Sequence, residues 1–262
     1  MSGSVSGVQD ITVDSIVNSG DTYSVGAEGT KSINISKGVT LTIDTNATLN
    51  TTAGIYVRGT LDVKSGADVN ISTQIVTWSN AHVILDEVVS TSKGDPISLA
   101  IAGSDVKVDF GVSQTFKYWD VRFNNYTFSF SENVDVVYTG VSFGSVETGG
   151  ALATKNITLV DFTDSNSIFI NAAFATTDEL LYEVVNNDLI ISGKAVKGEY
   201  GTATYAFKTD DNTDLKITEV FEGEKLLGFK ITTASVAVPE PAEWAMLFGA
   251  IALGLAIYRR RK

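Results

Sequence analysis

Apolar and polar residues alternate through most of this chain, in stretches too short to bury a face alone. Gly38-Val39-Thr40-Leu41-Thr42-Ile43 is followed by Gly59-Thr60-Leu61-Asp62-Val63. At an offset of 20 residues Leu41 matches Leu61, Ile43 matches Val63, Ala47 matches Ala67, Leu49 matches Val69 and Ile55 matches Ile75. A period of two predicts strands, and breaks at Gly, Asn and Ser every few residues predict tight corners. Strands this short are stable only if successive copies stack and bury one continuous apolar column. Three short strands per copy predict a right-handed parallel β-helix, a solenoid. Ile33 and Ile35 start the column; Val83, Leu85, Leu99, Ile101, Val106, Val108 and Phe110 continue it less regularly. An antiparallel sandwich also alternates, but it does not require the repeat.

The segment 112–145 concentrates Phe116, Tyr118, Trp119, Phe123, Tyr126, Phe128, Phe130, Tyr138 and Phe143. They fit either a sugar-stacking platform or larger core residues in wider turns, and the strand parity of Phe123, Phe128 and Phe130 favours the core. From residue 178 the pattern changes. Leu181 to Val185 and Leu189 to Ile191 read as a hairpin; Tyr200 to Phe207, Leu215 to Phe221 and Leu226 to Ile231 add three strands. These predict an antiparallel β cap over the open end of the solenoid, whose last turn would otherwise expose a sheet edge. The predicted division is an N-terminal segment over 1–29, β-helix over 30–177, antiparallel meander over 178–233 and a tail over 234–262.

The tail has three parts in order. Pro239-Glu240-Pro241 holds two of the three prolines of the chain and predicts an extended tether. Trp244 to Tyr258 is uncharged and apolar, and Arg259, Arg260, Arg261 and Lys262 follow at once. Fifteen residues of helix span roughly 22 Å, less than the roughly 30 Å hydrocarbon core. Trp244 and Tyr258 at the ends suit the membrane interface, and the cations extend the span by snorkelling. Gly249 and Gly254 are common in membrane helices and poor in soluble ones. The reading is one C-terminal transmembrane helix over about 243–258, its basic stop in the cytoplasm and the body on the other side.

Pro239-Glu240-Pro241, Trp244, the apolar run and the terminal cations together resemble the PEP-CTERM sorting signal of Gram-negative bacteria that make extracellular polysaccharide. The resemblance covers about residues 238–262. It implies an exosortase-like membrane enzyme as a partner, with the lipid bilayer as the interim anchor, and nothing about what the body does. Such proteins begin with a secretory leader. Met1 to Asp10 has no cationic or apolar segment of that kind, so a leader upstream of Met1 is expected. The body loosely resembles autotransporter-like β-helical surface proteins over roughly 30–175.

Charge and chemistry narrow the function. The chain has 262 residues and a formal net charge of −12, and its basic tail leaves the body more acidic still. That argues against nucleic acid as a partner. No cysteine is present, so thiolate chemistry and disulfides are absent. His82 is the only histidine and carries no triad signature. Asp210, Asn212 and Asp214 imitate the start of a calcium loop, but Leu215 and Phe221 stand where that loop needs Gly and Glu. Six Asn-x-Ser/Thr sequons, at Asn34, Asn46, Asn50, Asn70, Asn125 and Asn156, reflect a composition rich in those residues. No catalytic, cofactor or metal residue is assigned. The expected function is a non-enzymatic structural or adhesive protein of the cell envelope or extracellular space, with extracellular polysaccharide as a further partner. The alternative is a polysaccharide-active lyase or hydrolase on the same tail, which would need charged groups clustered on one face of the solenoid.

Overall fold

The computed structural model describes residues 1–5, 7–26, 32–121, 125–140, 154–171, 181–185, 188–194 and 200–234. They form an all-β protein built on a β-solenoid of about six turns. After β1 (Gly3–Val5), the first turn is β2 (Gln9–Ile11), β3 (Ser15–Val17) and β4 (Thr22–Val25). The second is β5 (Ile33–Ile35), β6 (Thr40–Ile43) and β7 (Thr48–Thr51), and the third is β8 (Ile55–Val57), β9 (Thr60–Val63) and β10 (Asp68–Ile71). The fourth is β11 (Gln74–Thr77), β12 (His82–Leu85) and β13 (Val89–Ser90). Strand pairs then continue the stack: β14 (Ile97–Ile101) with β15 (Val106–Phe110), β16 (Gln114–Val121) with β17 (Tyr126–Phe130), and β18 (Asp135–Tyr138) with β19 (Lys155–Val160). Then come β20 (Ser167–Asn171), β21 (Leu181–Val185), β22 (Asp188–Lys194), β23 (Tyr200–Thr209), β24 (Leu215–Glu222) and β25 (Lys225–Thr233).

Stacking the turns makes three sheets. The first runs β1-β4-β7-β10-β13, the second runs from β2 through β5, β8, β11, β14, β16, β18 and β20, and the third from β3 through β6, β9, β12, β15, β17 and β19. All these pairs are parallel. Leu41 lies beside Leu61, Ile43 beside Val63, Leu49 beside Val69 and Ile55 beside Ile75, as the 20-residue offset requires. The ladder also reaches further towards the N-terminus than the expected boundary at residue 30. Ile11 pairs with Ile35 and Val17 with Ile43, so residues 9–25 are a solenoid turn. Longer corners separate these turns, which breaks the 20-residue offset and hides the repeat.

The corners explain the small residues. Gly20 (φ 80°), Asn46 (φ 59°) and Gly66 (φ 80°) occupy the same corner in successive turns. Gly20 N–H donates to the Asn46 carbonyl and Asn46 N–H to the Gly66 carbonyl. The left-handed backbone there favours Gly and Asn.

The first sheet ends at β13, where the chain turns through Thr91 to Asp95 and Ser90 bridges Pro96. Gln114 closes that edge from inside β16. Its Nε2 donates to the Glu87 carbonyl at 2.7 Å, and its Oε1 accepts from Val89 N–H at 3.3 Å. A buried side-chain amide thus stands in for the missing strand.

One apolar core fills the solenoid, with Ile33, Leu41, Ile55, Leu61, Val83, Val108 and Leu159 among its fully buried members. Leu61 has no exposed surface and lies between Leu41 and Val83 in the third sheet. Leu61→Ala is expected to lower stability by about 2–5 kcal/mol, because the neighbouring turns cannot close on the cavity without breaking their ladders. A urea unfolding series checks it; an unchanged midpoint would contradict a packed column at Leu61.

In the wider turns the core becomes aromatic: Phe116, Trp119, Tyr126, Phe128, Phe130 and Tyr138 are all buried. They are core residues, not a surface platform; Phe123 and Phe143 lie outside the described residues. A register shift in β16 makes this possible. Ile97 faces Phe116 and Leu99 faces Trp119, so β16 carries one extra residue and both rings point inward.

Beyond β20 the pairing changes. β20 and β25 are antiparallel, as are β24 and β25, β21 and β22, and β22 and β23; β23 joins the third sheet parallel to β19. These strands therefore divide between two sheets. No helix occurs among the described residues.

Candidate functional site

The third sheet turns one face outward, and its last turns carry a polar groove. Val106, Tyr126 and Ile157 point into the core, so the residues on either side of each point out. In-register stacking then sets Lys107, Thr127, Thr158 and Lys208 side by side across four strands. A second row, one strand period away, holds Asp105, Asn125 and Asn156. Together they line an open groove of about 560 Å³. Asp105 (φ 56°) and Asn125 (φ 63°) precede their strands in left-handed backbone, which aligns the second row with the first.

Lys107 and Lys208 are exposed at the two ends of the row. Among the described residues neither is within 4.0 Å of a carboxylate; the ion pairs there are Lys64–Asp62 at 2.9 Å and His82–Asp109 at 2.6 Å. Adjacent strands lie about 4.8 Å apart, so three spacings separate the two lysines by about 14 Å. Between them stand hydroxyls and amides without charge. Tyr126 is only 1% exposed and offers no stacking surface.

His82 lies on the same face one turn before Lys107 and beside it in the ladder. Its Nε2 meets Asp109 Oδ2 at 2.6 Å, and the Ser129 hydroxyl bonds the same carboxylate. The histidine bond holds the Asp109 carboxyl below the usual carboxylate range; Ser129 and the charge of Lys107 act the same way, and partial burial opposes them. The order is serine, aspartate, histidine. A nucleophilic triad needs the imidazole in the middle, taking the serine proton, so these three residues do not form one.

The Asp109 arrangement carries a pH dependence. A carboxylate whose folded pKa is depressed adds stability above its unfolded value, about 3.9, and loses it as pH falls through the folded value. Asp109→Asn is therefore expected to be less stable than the wild type near neutrality, with the gap shrinking below about pH 4. Urea midpoints at about pH 7 and about pH 2 check it; a constant gap would mean that the loss is not electrostatic.

Other residues singled out in the sequence have structural places. In the 210–214 turn Asp211 accepts from Thr213 N–H at 2.9 Å and from the Thr213 hydroxyl at 2.8 Å, with Asn212 left-handed between them. These bonds from Thr213 lower the Asp211 pKa. Among the described residues no group of three His, Cys, Asp or Glu side chains is placed to hold a metal. The sequon asparagines are spread over the solenoid. Asn70 donates to Asn50 at 3.1 Å on the first sheet, Asn34 donates to Asp10 at 2.8 Å on the second, and Asn46 is a corner. Asn125 and Asn156 both line the groove.

Pro239, Glu240, Pro241, Trp244, Tyr258 and Arg259 to Lys262 lie outside the described residues, as does the expected helix over about 243–258. Among the described residues no helix is long and apolar enough to cross a membrane. The groove was not foreseen, because its members are scattered along the chain and only strand register brings them together. No family model, curated protein or solved structure matches this chain.

Proposed function

We propose that the chain is an exported structural or adhesive protein of a bacterial envelope or extracellular matrix, delivered by a PEP-CTERM tail. The observation that carries this reading is the ordered coincidence of Pro239-Glu240-Pro241, Trp244, an uncharged apolar run and Arg259 to Lys262 at the C-terminus. An exosortase-like membrane enzyme is the processing partner. The helix over about 243–258 anchors the chain in the inner membrane with its body outside the cytoplasm, and processing sends it to the cell surface or the medium.

The body in this reading is a right-handed parallel β-helix closed by an antiparallel cap. The cap draws support from β25, which covers the free edge of β20, and from β24, which presents exposed Lys216, Glu219 and Glu222. Charges on an outermost strand resist edge-to-edge aggregation. The structural reading is favoured over a polysaccharide hydrolase by the groove, where Asp105 is the only carboxylate among the described residues of the lining. Glycoside hydrolysis uses two carboxylates about 5–10 Å apart.

The test is processing in a host that contains an exosortase. Wild type is expected to yield a shorter mature form, while Glu240→Ala accumulates uncut in the membrane with a folded body. Removing Arg259 to Lys262 is expected to weaken membrane retention, because those cations hold the terminus inside. Equal processing of wild type and Glu240→Ala on immunoblots would mean that the motif is not read, leaving a plain C-terminal anchor.

A further inference from the structure

The groove on the third sheet has the chemistry of a binding site. Its row reads cation, hydroxyl, hydroxyl, cation along the solenoid axis: Lys107, Thr127, Thr158 and Lys208. Asn125 and Asn156 run parallel to the two threonines and add amide donors and acceptors. Among the described residues Lys107 and Lys208 are exposed and neither is ion-paired, and Asp105 is the one carboxylate of the described lining. An exposed ammonium is worth most to a ligand that brings its own anion.

From this juxtaposition we infer that the groove binds an acidic oligosaccharide, its carboxylates seated on Lys107 and Lys208 and its hydroxyls on the threonine and asparagine rows. The choice of a saccharide rests on the reading of the body as an extracellular matrix protein; the choice of an acidic, hydroxyl-rich chain rests on the groove itself. A single-stranded nucleic acid needs aromatic faces for its bases, and among the described residues the only ring in the lining is the buried Tyr126. An apolar ligand finds a wall that is mostly polar. An acidic peptide would satisfy the lysines but has no hydroxyl array to match the two threonines.

Calorimetry on the full-length chain in a neutral detergent tests the inference, with tetragalacturonate as the acidic probe and maltotetraose as the neutral one. Tetragalacturonate is expected to bind and maltotetraose to bind at least about tenfold more weakly. Lys107→Gln and Lys208→Gln are each expected to reduce tetragalacturonate affinity by about tenfold, the scale of one charged hydrogen bond. Thr127→Val with Thr158→Val, at outward positions that accept a branched side chain, should weaken it further without lowering the unfolding midpoint. Lys93→Gln, in an exposed turn on the other side of β13, should leave binding unchanged. Absence of tetragalacturonate binding would overturn the inference, as would binding indifferent to both groove lysines. Equal binding of a polyglutamate peptide or an oligothymidylate would also overturn it, by showing a general attraction for polyanions. None of these outcomes depends on whether the tail is processed, so the groove and the sorting signal can fail separately.

Discussion

Gly59→Ala is expected to unfold at far lower urea than the wild type, with a loss of about 3 kcal/mol or more, at or beyond the top of the range for ordinary overpacking. Gly59 joins β8 to β9 where one turn crosses closely over the corner of the turn before. A Cβ at Gly59 would stand 2.1 Å from the Val39 carbonyl oxygen, 2.4 Å from that of Ser36 and 2.9 Å from Val39 N. All three are backbone atoms, so no side chain can swing aside. Ladder bonds fix the spacing on both sides. Arg58 N–H donates to Ile35 O at 2.9 Å, Thr60 N–H to Val39 O at 2.8 Å and His82 N–H to Gly59 O at 2.9 Å. Relief of the clash therefore means breaking bonds in two adjacent turns. Gly38→Ala is the contrast. Its φ of +73° is strained for alanine, but no atom lies within 4 Å of the new Cβ. It should lose only the left-handed backbone cost of about 1–2 kcal/mol. Equal midpoints for the two variants would mean that the turns do not approach as closely as the structure shows.

The solenoid was legible where stacking is regular. Leu41 over Leu61 and Leu49 over Val69 share one offset because the intervening corners have equal length, and parallel in-register pairing puts like side chains over like. Residues 9–25 follow the same physics, but Ile11 to Ile35 and Val17 to Ile43 span longer corners, so no fixed offset reveals them. The end of the first sheet is invisible in the sequence because Gln114, a buried polar residue in an otherwise apolar strand position, does the work of a backbone edge. The extra residue in β16 reverses strand parity between Phe116 and Trp119, which a strict period of two cannot anticipate.

The groove failed to show for a related reason. Lys107, Thr127, Thr158 and Lys208 are ordinary outward residues in their own strands, and insertions of different length separate each from the next. Only the ladder aligns them. His82 was seen as a lone histidine; its partner Asp109 lies on the next turn of the solenoid, with no local motif to announce it. The tail is the opposite case. Its resemblance to a sorting signal rests on a contiguous run of residues and needs no fold to be read.

Trp119 is where truncation should be felt most in the aromatic half of the body. The side chain is fully buried among Phe128, Tyr138, Tyr205 and Phe207, with ring centroids at 6.3, 4.9, 5.5 and 6.0 Å. The contacts to Tyr138 and Tyr205 are edge-to-face, a favourable arrangement for rings. Tyr205 and Phe207 belong to β23, so this one indole joins the strand pairs of the stack to the strands added at the C-terminal end. Trp119→Ala is expected to cost about 3–5 kcal/mol and to loosen β23 from β19. Hydrogen exchange should show protection falling first over residues 200–209. Trp119→Phe separates volume from polarity. Among the described residues the indole Nε1 is buried without a hydrogen-bond partner, as is the Tyr138 hydroxyl, whose pKa burial pushes up. An unsatisfied buried donor costs about 1–3 kcal/mol, and phenylalanine removes that donor while keeping a ring against Tyr138. The Phe variant should therefore retain most of the stability that the Ala variant loses. If urea midpoints place Trp119→Phe as low as Trp119→Ala, the indole N–H is engaged in the folded protein and its bond is part of what joins β23 to the solenoid.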